Sequence, residues 1–462
     1  MDFLTLARNY QDHMIKDLQD LLAIASLSDE EHATEAAPFG PKIREALDWM
    51  LKHGENDGFD TLDVDGYAGL ISYGQQSQSI GMLGHLDIVP VGEGWSVDPF
   101  GGEIKDGYIF GRGSGDDKGP TIAAYYAMKI IKDLGVELNK KIMLIVGCDE
   151  ETGMRCMKHY IEHAPLPDMG FVPDAYFPVI YGEKGILNIR LLGEKKTVIK
   201  RMHSGERPNI VLGKCAVEVF GKPKEEELRL FTRSHRIKAS YKYLADSTVY
   251  TFEGKYSHAS TPQQGQNAAV YALNFVAAAY QDKAAADLSR LLYSYHGTGL
   301  NIEFDGAHMR NLTMNLGIIH IENNKFNLTL DIRYPNDVDF DFCITNINQT
   351  LTKDASWVKA DVIAHKEPLF VDPNSDLVKT LHDVYRQVSG DDFTPLKTMG
   401  GGTYARTLPN FVAYGMAFPL RKLPEFAGDA HQKDEAIEIE SLVMATAIYA
   451  KALYKLAYEN AK

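Results

Sequence analysis

Three short apolar runs, each ending on side chains that can bind a cation or move a proton, constrain this chain more than any other feature. Ser79-Ile80-Gly81-Met82-Leu83-Gly84 runs into His85-Leu86-Asp87. Lys141-Ile142-Met143-Leu144-Ile145-Val146-Gly147 runs into Cys148-Asp149-Glu150-Glu151. Gly170-Phe171-Val172-Pro173 runs into Asp174. Near-continuous apolar runs of this length read as buried strands. Between them, Pro120 to Leu134 reads as a helix, with a proline suited to its first turn. Strands alternating with helices predict an α/β sheet. Such sheets collect function at the carboxyl ends of their strands, so residues distant in sequence are expected on one edge.

The rest of the chain supports a split domain. Helices are expected over residues 1–26 and over Pro41 to His53, with a short strand at Tyr108 to Gly111. The middle changes texture. Thr248 to Phe252 and Phe326 to Ile332 read as strands, and Asn267 to Gln281 as a helix. After it come a helix at Leu377 to Val388, a strand at Phe411 to Phe418 and a closing helix over 434–458. The predicted organisation is a catalytic domain with a central mixed sheet, residues 1–181 and 367–462, interrupted by an α+β lid domain, residues 182–366.

Bulk properties exclude some function classes. The formal net charge of -15 argues against a general nucleic-acid binder, which needs a basic face. The four cysteines, Cys148, Cys156, Cys215 and Cys343, form no C-x-x-C pair and fit no zinc module, so reduced buried thiols are expected. Met1-Asp2-Phe3-Leu4 lacks the basic start of a signal peptide, and no apolar run reaches the roughly 18 to 20 residues of a membrane span. A cytoplasmic protein without membrane or nucleic-acid partners is the expectation.

The ligand-type residues suffice for two cations. A pair of ions about 3.5 to 4 Å apart needs a bridging carboxylate and outer ligands on both sides. Asp117, in the loop Gly111-Arg112-Gly113-Ser114-Gly115-Asp116-Asp117-Lys118-Gly119, is the expected bridge, with Asp116 beside it as a competitor. His85 and Asp174 complete one site, Glu151 and His431 the other. Such a set suits zinc, and also manganese or cobalt. Asp87, two residues past His85, would share its side of an extended strand and fix the imidazole tautomer through its carboxylate. Glu150 would stay off the metal as general base and acid. The glycine-rich loop fits neither nucleotide motif, because Asp116 takes the last glycine of G-x-G-x-x-G and Lys118 is followed by Gly119.

Taken in order, His85-Leu86-Asp87, Gly115-Asp116-Asp117-Lys118-Gly119, Asp149-Glu150-Glu151-Thr152-Gly153 and Ala430-His431-Gln432-Lys433-Asp434-Glu435 resemble the motifs of the M20 family of metallopeptidases. The length and large insertion are most similar to its PepV-type dipeptidases. The resemblance implies two divalent ions, His85, Asp117, Glu151, Asp174 and His431 as ligands, Asp87 as orienting partner and Glu150 as base. In the lid, His258 in Gly254-Lys255-Tyr256-Ser257-His258-Ala259-Ser260-Thr261-Pro262 resembles the histidine that stabilises the oxyanion. Arg333 in Asp331-Ile332-Arg333-Tyr334-Pro335 and Asn209 in Arg207-Pro208-Asn209-Ile210-Val211 resemble the residues that hold the substrate carboxylate. Gly400-Gly401-Gly402-Thr403 resembles a loop near the substrate, while Gln263-Gln264 departs from the charged residue of many relatives. The implied activity is hydrolysis of dipeptides, β-Ala dipeptides included, by a monomer. The alternatives are an N-acyl amino acid deacylase, such as a succinyl-diaminopimelate desuccinylase, and a non-catalytic metal-stabilised binding protein.

Overall fold

A computed structural model describes residues 1–458 of the chain. They form two compact units. The first is residues 1–181, 371–397 and 402–458, and the second is residues 182–370 and 398–401.

The first unit is built on a mixed sheet. Its strands run in the order Asp60–Val64, Ala68–Tyr73, Lys141–Gly147, Ser79–His85, Met169–Val172, Phe411–Ala413 and Ile180–Glu183. The middle four are mutually parallel. Ser79–His85 is buried along its whole length, which explains its unbroken apolar character. His85 lies opposite Gly147, and Met82 opposite Phe171. That register carries Glu150, Glu151 and Asp174 out of the sheet at the edge where His85 ends. The helices Lys118–Asp133 and Ile439–Ala457 pack against each other and are buried over most of their surface.

Several elements differ from expectation for local reasons. The first helix is two, Phe3–Arg8 and Gln11–Leu22. The strand expected over Phe411 to Phe418 is broken into Phe411–Ala413 and Met416–Ala417, because Gly415 takes a φ of 85° between them. The closing helix starts only at Ile439, since Ala436–Glu438 pairs as a strand with Tyr108–Phe110.

The second unit is an eight-stranded antiparallel sheet, an α+β arrangement. Its order is Lys238–Tyr243, Ser247–Glu253, Lys214–Phe220, Ile199–Ser204, Thr313–Glu322, Lys325–Tyr334, Gly185–Glu194 and Val358–Lys366. Its apolar residues, among them Met202, Val217, Ile319 and Ile321, join one core with the helices Ala268–Tyr280 and Lys283–Leu292. The alternate residues Arg201, His203 and His320 face outward, as a period of two requires. All four cysteines are free and buried. Among the described residues no helix is long and apolar enough to cross a membrane.

Candidate metal centre

The edge of the parallel strands carries two groups of ligand-type side chains in the first unit. His85, Asp116 and Asp174 form one, and Asp116, Glu151 and His431 the other, with the ligand atoms of each group within 4.8 Å of one another. Asp116 belongs to both. Its Oδ1 lies 2.9 Å from Nε2 of His85, and its Oδ2 lies 3.0 Å from Nε2 of His431. Nε2 of His431 is also 2.9 Å from Oε1 of Glu151, and Asp174 Oδ2 is 4.0 Å from Nε2 of His85.

This corrects the expected bridge. Asp117 heads the helix Lys118–Asp133, and that turn aims its carboxylate into the core. Its Oδ2 accepts the N–H of His85 at 3.0 Å and the hydroxyl of Thr121, one helical turn on, at 3.1 Å. Asp116, one residue earlier, faces the imidazoles. Gly84 makes the Asp117 contact feasible: a Cβ there would stand 2.8 Å from Asp117 Oδ2 and 2.2 Å from Thr121 Oγ1. Asp117 thus anchors the strand end that carries His85.

Asp87 also acts differently from expectation. Nδ1 of His85 lies 2.9 Å from the backbone carbonyl oxygen of Asp87, whereas the nearest carboxylate oxygen is 3.5 Å away. The carboxylate instead accepts the N–H groups of Glu150 and Glu151, each at 3.0 Å. The carbonyl orients the imidazole, and the side chain fixes the turn carrying both glutamates. Asp149 closes that turn by accepting from Arg155 N and Nε, each at 2.9 Å.

The electrostatics show negative charge crowded out of water. Burial, then Asp116 and Asp117, push the Asp174 carboxyl well above the usual range. Burial raises Glu150 to about 8, although His85 works against it. Hydrogen bonds from His431 and His85 overcome burial and hold Asp116 below the usual carboxylate range. Asp116, then Glu151, raise His431 to about 10. Oδ1 of Asp117 is buried with no hydrogen-bond partner. Carboxylate oxygens and imidazole nitrogens gathered in this way fit divalent cations, whose charge relieves this crowding.

Sequence reasoning missed three supports. Glu435, fully buried, accepts through Oε1 the N–H groups of Gly113 at 3.1 Å, Gly115 at 2.9 Å and Asp116 at 3.2 Å. Its Oε2 pairs with Arg112, which also donates to the carbonyls of His431 and Gln432. This clasp ties the loop of Asp116 to the segment of His431. Tyr404 packs edge-on against the His85 ring, with centroids 6.1 Å apart, and its hydroxyl lies 2.7 Å from Cys156 Sγ. Asn315, in the second unit, donates to the carbonyls of Pro208 at 3.0 Å and Ile210 at 2.9 Å, which flank Asn209. Nothing local in the sequence linked Glu435 to Arg112, more than 300 positions away.

The second unit brings its own expected residues together. Ile210 bridges to His258, and Asn209 accepts the N–H of Ala259 through its carbonyl at 2.9 Å. Nδ1 of His258 accepts the N–H of Ser260 at 3.2 Å, which leaves the proton of a neutral imidazole on Nε2. Burial, then Arg333, holds His258 below its ordinary pKa, so the neutral donor form prevails near pH 7. Arg333 gives Nε and Nη2 to Asp331, at 2.5 and 2.8 Å, and Nη1 to the Gly400 carbonyl at 3.0 Å. Three of its five N–H groups are thereby engaged and two remain for a ligand.

Comparison with known proteins agrees with this architecture. Residues 81–455 match the peptidase family M20/M25/M40. A putative dipeptidase of Staphylococcus epidermidis is 36% identical, with 98% of each chain covered. The putative dipeptidase YtjP of Bacillus subtilis is 37% identical, covering 97% of this chain and 98% of that one. The fold is shared with the dipeptidase Dug1p of Saccharomyces cerevisiae, at a TM-score of 0.57, 15% identity and coverage of 98% and 97%. It is shared also with human carnosine dipeptidase 1, at a TM-score of 0.54, 15% identity and 98% coverage of both chains. The chain belongs to the peptidase family M20/M25/M40.

Proposed function

We propose that this peptidase is a dipeptidase working with two divalent ions, zinc first, with manganese or cobalt as substitutes. The observation that carries the reading is Asp116, with one carboxylate oxygen turned to each of two histidine-containing groups. His85 and Asp174 would hold one ion, Glu151 and His431 the other, and Asp116 both. Bound there, such a pair supplies Lewis-acid polarisation of the scissile carbonyl and of a water.

The remaining chemistry belongs to the side chains. Glu150 is held by its backbone to Asp87 and has its pKa lifted by burial to about 8. A carboxyl tuned near neutrality can take a proton from the attacking water and pass it to the leaving amine. His258, neutral and protonated on Nε2, donates to the oxyanion. The free N–H groups of Arg333, with Asn209, grip the substrate carboxylate. That grip and the putative dipeptidases among the relatives favour short peptides with a free carboxyl end.

The test is Glu150→Gln assayed with Ala-Ala and β-Ala-His against N-acetyl and N-succinyl amino acids. Wild type should cleave the free dipeptides, and the variant should lose about 10²–10⁴-fold in kcat while keeping its metal content. Cleavage confined to the acylated compounds would replace the dipeptidase with a deacylase. Undiminished turnover in the variant would remove Glu150 from its role.

A further inference from the structure

The second unit carries another set of ligand-type side chains, unrelated to the Asp116 groups. His203 on the strand Ile199–Ser204 and His320 on the strand Thr313–Glu322 stand directly opposite in the antiparallel register. Their ring centroids are 3.6 Å apart at an interplanar angle of 32°. Glu322, two residues along the same strand, shares their outward face. One ligand atom from each of the three lies within 4.8 Å of the others. Ligand distances of about 2.0–2.2 Å around a tetrahedral zinc place ligand atoms about 3.3 Å apart, within reach of side-chain rotation.

The surroundings leave these groups available. Among the described residues, no hydrogen bond or ion pair engages either imidazole or the Glu322 carboxylate. Arg201 stands opposite Glu322 but is drawn to Glu218, at 3.5 Å. A surface depression bounded by Glu194, His320, Glu322 and Asn327 adjoins the pair and gives room for water to complete a coordination shell.

We propose that His203, His320 and Glu322 form a surface site for one divalent transition-metal ion of the zinc type. Two imidazoles and one carboxylate suit zinc, nickel or copper, whereas calcium and magnesium require oxygen-rich shells. The ion would join two neighbouring strands that lie more than 100 residues apart in the chain. By binding only the folded sheet, it stabilises the second unit by mass action.

The experiment counts zinc on the full chain after dialysis against graded free zinc, beside His203→Ala, His320→Ala and Asp116→Asn. Wild type should hold one zinc more than either histidine variant, at equal peptidase turnover. Asp116→Asn should keep this extra ion, so the result stands whatever the Asp116 groups bind. Wild type should also gain thermal stability with zinc beyond that of His320→Ala. Equal zinc in wild type and both histidine variants would overturn the site. So would an extra ion held only above about 1 mM free zinc, which is adventitious surface binding.

Discussion

Replacing Glu435 with Ala tests whether the metal loop is shaped from outside the ligand set. Glu435 touches no proposed ligand side chain, yet it accepts three backbone N–H groups of the Asp116 loop and the Arg112 guanidinium. Both side chains of the pair are 1% exposed. Removing one partner of a buried ion pair costs about 3–5 kcal/mol, because the other charge is left unpaired. The loss falls on the loop that aims Asp116, so metal affinity should fall by about 10–100-fold, the range seen when outer partners of ligands are removed. Affinity would be read by chelator competition, and loop opening by hydrogen exchange of the amides of residues 111–117.

A second variant separates shape from charge. Arg112→Met with Glu435→Leu removes both charges of the pair, so stability should recover part of the loss seen in Glu435→Ala, short of wild type by the cost of the N–H groups left without an acceptor. Metal affinity should stay low, since the N–H groups of Gly113, Gly115 and Asp116 still lack their acceptor. Wild-type metal affinity in Glu435→Ala would refute the reasoning. Full recovery of affinity in the double variant would show the pair to be a stability element alone.

Two other outcomes follow from the geometry. Asp116→Asn should weaken both ions together, whereas Asp117→Asn, whose amide oxygen can still accept from His85 N and Thr121, should keep both; metal counting that finds the reverse would restore Asp117 as the bridge. His53, 2.9 Å from Asp17, has its pKa raised by that hydrogen bond, against burial. A raised folded-state pKa gives stability that is complete below the unfolded value of about 6.5 and fades as pH rises through the folded one. The melting-temperature advantage of wild type over His53→Gln should therefore be larger at about pH 6 than at about pH 9, and a constant difference would contradict the pairing.

What could be read from residues alone follows from where apolar runs end. Parallel strands buried on both faces announce themselves, and the side chains just past Gly84, Gly147 and Val172 had to share an edge. The choice between Asp116 and Asp117 could not be read in this way. Adjacent identical residues differ only in how the turn into a helix aims them. The one local clue is Thr121, four residues past Asp117 at the start of a wholly buried helical stretch. Asp87 misled for a related reason: spacing put its carboxylate near His85 but could not show that the backbone carbonyl reaches Nδ1 first. Arg112, Glu435, Tyr404 and Asn315 were invisible because their partners are set by tertiary closure, which no local pattern encodes.

The placement of Phe411–Ala413 bears on how the protein is made. That strand pairs with Met169–Val172, yet the whole second unit is encoded between them. While the insertion is being synthesised, the growing sheet ends on an open, apolar parallel strand with its hydrogen-bonding groups unsatisfied. Open edges of this kind recruit other chains. Synthesis of the insertion is thus the interval in which a nascent chain is most exposed to aggregation, and the one in which a chaperone would have most to shield.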